Sequence, residues 1–175
     1  MKHKKHLLNV ALSSMFLALA YVMPFLTGQI PEIGSMLCPM HIPVLLCGFV
    51  CGAPYGLLAG IIAPLLRSLT LGMPPLFPTA TAMAFELAVY GLVSGLLYKA
   101  LPKKKINIFI SLIGAMILGR IVWGFAMFCI MGFDITKFSF AAFWAGSIVN
   151  AIPGIIVQII TVPILVMVSE KTKLR

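Results

Sequence analysis

The chain has 175 residues, of which 61 % are hydrophobic and 10 % are charged, and its mean hydropathy is +1.10. This composition exceeds what a water-soluble domain tolerates, so it excludes a soluble globular protein and predicts an integral membrane protein. The net charge of +9 fits basic loops beside anionic lipid of the bilayer, and we do not expect the chain to bind nucleic acid. At roughly 20 apolar residues per span, there is room for about six helices and no catalytic domain.

Six apolar runs are separated by charged residues or by Pro and Gly, and each run predicts one membrane-spanning helix. The predicted spans, in chain order, are residues 7–26, 36–52, 54–72, 79–100, 107–131 and 139–169. The second run is short and contains Pro39 and Pro43, so we expect a broken or tilted helix there. The sequence therefore predicts an all-α membrane protein with six transmembrane helices in a single domain, residues 1–175.

Basic residues predict the orientation of the helices, because short cytoplasmic loops retain Lys and Arg. They are concentrated in the N-terminal tail, in the loop after the fourth span and in the C-terminal tail. These residues are Lys2, Lys4, Lys5, Lys99, Lys103, Lys104, Lys105, Lys171, Lys173 and Arg175. With an even number of spans the three segments share one side of the membrane, so both termini are predicted to be cytoplasmic.

Charged residues inside the predicted spans indicate a functional or structural polar site, because a charge at mid-bilayer depth costs at least about 2.5 to 3.5 kcal/mol. Arg67, Glu86 and Arg120 lie roughly 8, 10 and 16 Å from the predicted outer ends of their spans, at 1.5 Å per residue. His41 and Asn150 enter their spans from the same side. Five spans thus bring one polar group each into the outer half of the membrane.

Two interpretations of these charges stay open. Glu86 could form a structural ion pair with Arg67 or with Arg120 that holds helices together. However, one carboxylate does not neutralise two guanidinium groups, so the surplus positive charge favours a ligand with an acidic or strongly polar end.

Aromatic residues share helix faces with these polar groups. Tyr90 follows Glu86 by four residues, and Trp123 follows Arg120 by three. Aromatic walls with a few polar anchors are typical of small-molecule pockets, although aromatic residues near a membrane surface are commonly interface residues. The candidate substrate-binding residues are His41, Arg67, Glu86, Tyr90, Arg120, Trp123, Trp144 and Asn150.

Small residues at four-residue spacing predict close packing of helix backbones. They are Gly52, Gly56 and Gly60 in the third span and Gly91 and Gly95 in the fourth. A further patch of small residues in the first span could pack internally or bind a partner. It consists of Ala11, Ser14 and Ala18.

Motifs of common enzymes are absent from the sequence. It contains no G-x-x-x-x-G-K-[ST], no H-E-x-x-H and no G-x-S-x-G, so we predict that the chain is not an enzyme. Cys47 and Cys51 share a helix face without further ligands nearby, which favours packing over metal binding. We therefore expect neither a cofactor nor a metal.

A resemblance to a known family is carried by residues 39–99, which read PMHIPVLLCGFVCGAPYGLLAGIIAPLLRSLTLGMPPLFPTATAMAFELAVYGLVSGLLYK. This run resembles the substrate-binding S component of an energy-coupling factor (ECF) vitamin transporter, and the similarity extends more weakly over all six spans. The resemblance implies a small six-helix protein of the bacterial plasma membrane that captures a vitamin from outside. It also implies association with a transmembrane T component and two ATPases, and toppling of the subunit in the bilayer to deliver the ligand.

The resemblance also implies where the T component binds, because members of the family carry an A-x-x-x-A motif in the first helix. Here the register reads Ala11 to Met15 and Ser14 to Ala18, which is an imperfect match. The glycine ladder of the third span is a second place for this contact. The expected docking residues are Ala11, Ser14, Ala18, Gly52, Gly56 and Gly60.

The resemblance to pantothenate-type S components, together with two arginines that suit a carboxylate, makes pantothenate the expected substrate. Alternatives are a cobalamin precursor such as a benzimidazole riboside, a pyrimidine, or a queuosine precursor. A non-transporting membrane scaffold protein, in which the buried charges only hold helices together, is the alternative from another class.

Overall fold

The computed structural model describes residues 2–27, 36–102, 104–131 and 151–172. Within these ranges the chain forms α-helices and no β-strand. The helices are α1 (Lys2–Val22), α2 (His41–Cys51), α3 (Ala53–Leu71), α4 (Thr81–Ala100), α5 (Lys105–Ile130) and α6 (Ile152–Lys171). A 3-10 turn at Met23–Thr27 extends α1, and a π-helical turn at Leu76–Ala80 leads into α4.

Five of the helices in these ranges are long and apolar enough to cross a membrane. This confirms an all-helical membrane fold, whereas the sixth span and the cytoplasmic side of the termini remain predictions. α1 begins at Lys2, inside the basic tail, and so starts earlier than the predicted residue 7. The first part of the predicted last span, residues 139–150, lies outside the described residues.

The helix α2 is too short to cross the bilayer. Its 11 residues extend roughly 16 Å, about half of the 30 Å hydrocarbon core. The preceding turn contains Pro39 and also Cys38, whose φ of 46° lies in the left-handed region that few residues other than Gly adopt. The expected break in the second run is therefore confirmed, and α2 begins only at His41. Every residue of α2 is buried, because it packs against α1, α3, α4 and α6.

One end of the bundle, which we call the basic end, contains the start of α1, the turn between α2 and α3, and the ends of α4 and α6. Gly52 makes that turn with a φ of 99°. His6 Nδ1 lies 2.5 Å from the Tyr55 hydroxyl, and the Tyr98 hydroxyl donates a hydrogen bond to Glu170. These contacts join α1 to α3 and α4 to α6, and they fix how the helices align along the bundle.

Glycines bring α3 and α4 into backbone contact, as the sequence predicts. Gly91 of α4 faces the backbone of Gly56 on α3, and Gly60 faces the backbone of Leu87. A side chain at any of these three glycines would overlap backbone atoms of the other helix. The side of α3 that carries Gly56 and Gly60 is therefore covered by α4 and offers no surface to a partner. This corrects the expected docking role of these two glycines.

The small-residue patch on α1 has a different environment. Ala11, Ser14 and Ala18 are exposed in this subunit, while the opposite face of α1 buries Phe16 and Ala20. Because only one face of α1 is buried in the subunit, the patch is open to lipid or to another protein. The docking role of this patch remains a prediction.

Candidate functional site

Glu86 of α4 lies at the centre of a buried polar cluster. Its Oε1 atom is 3.1 Å from Arg120 Nη1 on α5 and 3.6 Å from His41 Nε2 at the start of α2. The side chains of Glu86 and His41 are 2 % and 3 % exposed, and that of Arg120 is 17 % exposed. Together with Tyr90 and Cys38, which contact them, we call these residues the Glu86 cluster.

The local backbone explains how these side chains meet. The break before α2 lets Cys38 approach α5, where its sulfur lies 3.8 Å from Arg120 Nη2, which donates to it. The Tyr90 ring stands edge-on to the His41 ring, with 5.3 Å between centroids. Gly119 leaves the space that this ring occupies, since a Cβ there would overlap it. Three helices and one turn therefore contribute to the cluster.

Several buried polar atoms of the cluster have no hydrogen-bond partner in the part of the chain that the structure describes. They are His41 Nδ1, the Tyr90 hydroxyl and Arg120 Nε, while Glu86 Oε1 and His41 Nε2 have only the 3.1 and 3.6 Å contacts given above. An unsatisfied buried group costs about 1–3 kcal/mol, and native proteins keep few of them. The cluster therefore has donors and acceptors available to a bound molecule.

Arg67 contacts the end of α1 and not the Glu86 cluster within the described residues. Its Nη1 atom donates to the Tyr21 carbonyl at 2.8 Å, and its guanidinium carbon lies 5.0 Å from the centre of the Phe25 ring. The Tyr21 hydroxyl also lies 3.0 Å from Thr70 Oγ1. Carbonyls in the last turn of a helix lack intrahelical partners and carry the negative end of the macrodipole. Arg67 thus stabilises the end of α1.

This arrangement decides between the two possible partners of Glu86. Among the described residues, Glu86 forms an ion pair with Arg120 and its Oε1 atom lies 3.6 Å from His41 Nε2, while Arg67 donates a hydrogen bond to the end of α1. The cluster then contains one carboxylate and one guanidinium, so its formal charges balance when His41 is neutral. The surplus positive charge that favoured an acidic ligand is located elsewhere.

The remaining sequence candidates are placed as follows. Trp123 lies one turn after Arg120 on α5 and is partly buried. Trp144 and Asn150 lie outside the described residues. The sequence analysis missed Gln158 of α6, which is 1 % exposed and whose side-chain oxygen and nitrogen have no partner among the described residues. Its signal was a single amide in an otherwise apolar run, where hydrocarbon offers it no hydrogen bond.

The described residues contain no group of three side chains that could hold a metal ion. The site has instead the composition of a polar small-molecule pocket: one ion pair, one imidazole, one phenol and a thiol. Comparison with known proteins identifies a family. The chain matches the family "ECF transporter, substrate-specific component" over residues 8–166.

The chain belongs to this family. Membership makes the protein a substrate-binding S component of a transporter and a multi-pass membrane protein. It also implies a small-molecule substrate, a transmembrane T component and ATPase partners in general. No curated protein and no solved structure matches the chain.

Proposed function

We propose that this S component captures a small polar molecule at the Glu86 cluster and delivers it with energy from its ATPase partners. The observation that carries the proposal is the buried ion pair of Glu86 and Arg120 at 3.1 Å, beside polar atoms that have no hydrogen-bond partner in the described part of the chain. Charged residues in a membrane bundle usually mark a substrate or ion pathway. The subunit itself carries out no chemical reaction in this proposal.

The balanced charge of the cluster favours a neutral or zwitterionic ligand that has both donors and acceptors. Glu86 supplies an acceptor, Arg120 and Tyr90 supply donors, and the Tyr90 ring supplies an aromatic face. Pantothenate fits through its amide and hydroxyl groups, but its carboxylate would compete with Glu86 for Arg120. A pyrimidine, a benzimidazole riboside or a queuosine precursor fits without that competition.

The direction of capture follows from the helix lengths. Glu86 lies 14 residues before the end of α4 at Ala100, or roughly 21 Å from the basic end at 1.5 Å per residue. With the Lys-rich segments in the cytoplasm of a bacterial cell, this depth puts the cluster in the outer half of the plasma membrane. We propose six spans with both termini cytoplasmic, in a single domain over residues 1–175. The ligand then enters from outside.

The exposed patch of Ala11, Ser14 and Ala18 is the proposed contact with the T component. Small residues let helix backbones approach closely in lipid, and this patch faces away from the subunit's own core. Gly52, at the turn between α2 and α3, is proposed to lie beside that contact. Replacing Ser14 and Ala18 with Leu should abolish co-purification with the T component without lowering ligand affinity.

A titration of the purified protein tests the proposed site. Intrinsic Trp fluorescence is followed while pantothenate and a panel of vitamins and precursors are added to the wild type, Arg120→Met and Arg67→Met. Arg120→Met should lower the affinity for the bound compound by at least about 30-fold, because a buried charge loses its partner. Arg67→Met is the matched control, since it removes a buried guanidinium outside the cluster. Equal losses in both variants, or no binding to the wild type, would overturn the proposal.

A further inference from the structure

We propose that Gln158 forms part of the same ligand site and binds a ligand group that has a hydrogen-bond donor and an acceptor side by side. The inference rests on the proposed function and names the class of substrate more closely. Gln158 is 1 % exposed, and neither Oε1 nor Nε2 has a partner within the described ranges. A carboxamide has two N–H donors and one acceptor oxygen, so all of its hydrogen-bonding capacity is available.

The face of α6 that carries Gln158 points into the bundle. Buried residues recur there at four-residue spacing, the spacing of one helix face. They are Gly154, Gln158, Val162 and Val166. α6 packs against α2 and α5, the helices that carry His41 and Arg120. The amide therefore lies in the protein interior and not towards lipid.

The depth of Gln158 along the bundle equals that of Glu86. The hydrogen bond between Tyr98 and Glu170 aligns α4 with α6 at the basic end. Both helices end there, so they run in the same direction. Glu86 lies 12 residues before Tyr98, and Gln158 lies 12 residues before Glu170. Each is thus roughly 18 Å from the same contact at 1.5 Å per residue.

The turn before α2 links Gln158 to the Glu86 cluster. Gly154, one helical turn before Gln158, packs against the backbone of Met36 and Leu37. The next residue, Cys38, accepts the hydrogen bond from Arg120. Gln158 lies one turn closer to the basic end, along the same face of α6, beside the segment that leads to His41. From this position Gln158 adds a side chain of α6 to the site formed by α2, α4 and α5.

The geometry of the Gln158 carboxamide determines which ligand groups can bind it best. Oε1 and Nε2 lie on the same edge of the group, so a ligand with an adjacent N–H and C=O forms two parallel hydrogen bonds with it. Lactams, cyclic ureas and primary carboxamides have that edge. The secondary amide of pantothenate has its N–H and C=O on opposite sides in the trans form, so it forms one such bond at most.

The test compares Gln158→Met with Ser111→Ala. Methionine has about the same length as glutamine but lacks both hydrogen-bonding atoms. Because the neighbours of Gln158 on this face of α6 are apolar, we expect Gln158→Met to fold. Ser111 is the control, because its hydroxyl is also buried and has no partner among the described residues. It lies away from the cluster, nine residues before Arg120 on α5, which is roughly 13 Å nearer the basic end. The probes are nicotinamide, uridine, riboflavin and pantothenate, titrated against each variant, with thermal unfolding followed in parallel.

A probe with a lactam or primary carboxamide edge should bind the wild type, and Gln158→Met should weaken it by about 10- to 100-fold. The melting temperature should not fall, and Ser111→Ala should bind as the wild type does. If a probe binds with unchanged affinity in Gln158→Met but is lost in Arg120→Met, this inference fails while the proposed function stands. If no probe binds the wild type, or Arg120→Met has no effect, both fail.

Discussion

Removing one member of the Glu86 and Arg120 pair should destabilise the subunit far more than removing both. The change consists of three variants: Glu86→Gln, Arg120→Met, and the two together. At the observed 3.1 Å separation, the Coulomb attraction at an effective dielectric constant of about 20 is roughly 5 kcal/mol. Each single variant leaves the other charge buried without its partner, which costs about 3–5 kcal/mol.

The double variant removes both charges and so removes the cost of burying either of them. Neutral replacements of a buried pair are often close to neutral in stability. We therefore expect the double variant to lose less than about 1.5 kcal/mol of unfolding free energy, which is less than either single variant. Ligand affinity should fall by at least about 30-fold in all three variants, because each of them removes the carboxylate, the guanidinium or both.

Unfolding can be followed in detergent with a thiol-reactive dye. The thiols of Cys47 and Cys51 are buried, so the dye reports when the bundle opens. Titration with a denaturing detergent gives the free energy of unfolding of each variant, and the double-mutant cycle gives the coupling between the two residues. Single-variant losses that add up in the double variant would refute the ion pair as the core of the site.

Three further predictions concern other parts of the subunit. Arg67→Met should lower the unfolding free energy by about 2 to 4 kcal/mol, because it removes a hydrogen bond and a cation–π contact, and should change ligand affinity by less than about threefold. Gly91→Ala should cost at least about 1–3 kcal/mol, since its Cβ overlaps the Gly56 backbone. A cysteine in place of Lys104 should react with a membrane-impermeant thiol reagent in inverted vesicles and not in intact cells.

Each of these has an outcome that would contradict it. If Arg67→Met lowered ligand affinity without lowering stability, Arg67 would belong to the ligand site. Gly114→Ala is the matched control for Gly91→Ala, because its Cβ would meet only the flexible end of Leu97 at 3.0 Å; equal effects of both would rule out tight packing as the cause. Labelling of the Lys104 position in intact cells would reverse the proposed orientation.

The sequence predicted the long helices well, for a physical reason. A span needs about 20 apolar residues to cross a bilayer. The predicted bounds of the third, fourth and fifth spans therefore lie within two residues of the observed ends of α3, α4 and α5. The close contact of α3 with α4 was also predictable, because only glycine lets backbones touch and Gly56 and Gly91 occur at regular spacing. These signals are local in the chain.

The partners of the buried charges were not predictable, because they depend on how the helices pack. Arg67 and Arg120 are both predicted to lie in the outer half of the membrane, and only the fold shows that the end of α1 accepts Arg67 while Glu86 binds Arg120. The short length of α2 depends on the backbone of Cys38, whose φ of 46° has no sequence signal. Gln158 was missed because one amide in an apolar run has no periodicity.

Native mass spectrometry of the Glu86→Gln and Arg120→Met double variant, beside the wild type, tests most directly whether the Glu86 cluster binds the substrate. Both proteins are purified in the same detergent from cells grown in rich medium, so each meets the same small molecules. Because the double variant is expected to stay folded, a difference in bound mass reports the site and not stability. We predict a bound small molecule on the wild type and none on the double variant. The same molecule on both proteins would contradict the assignment of the site.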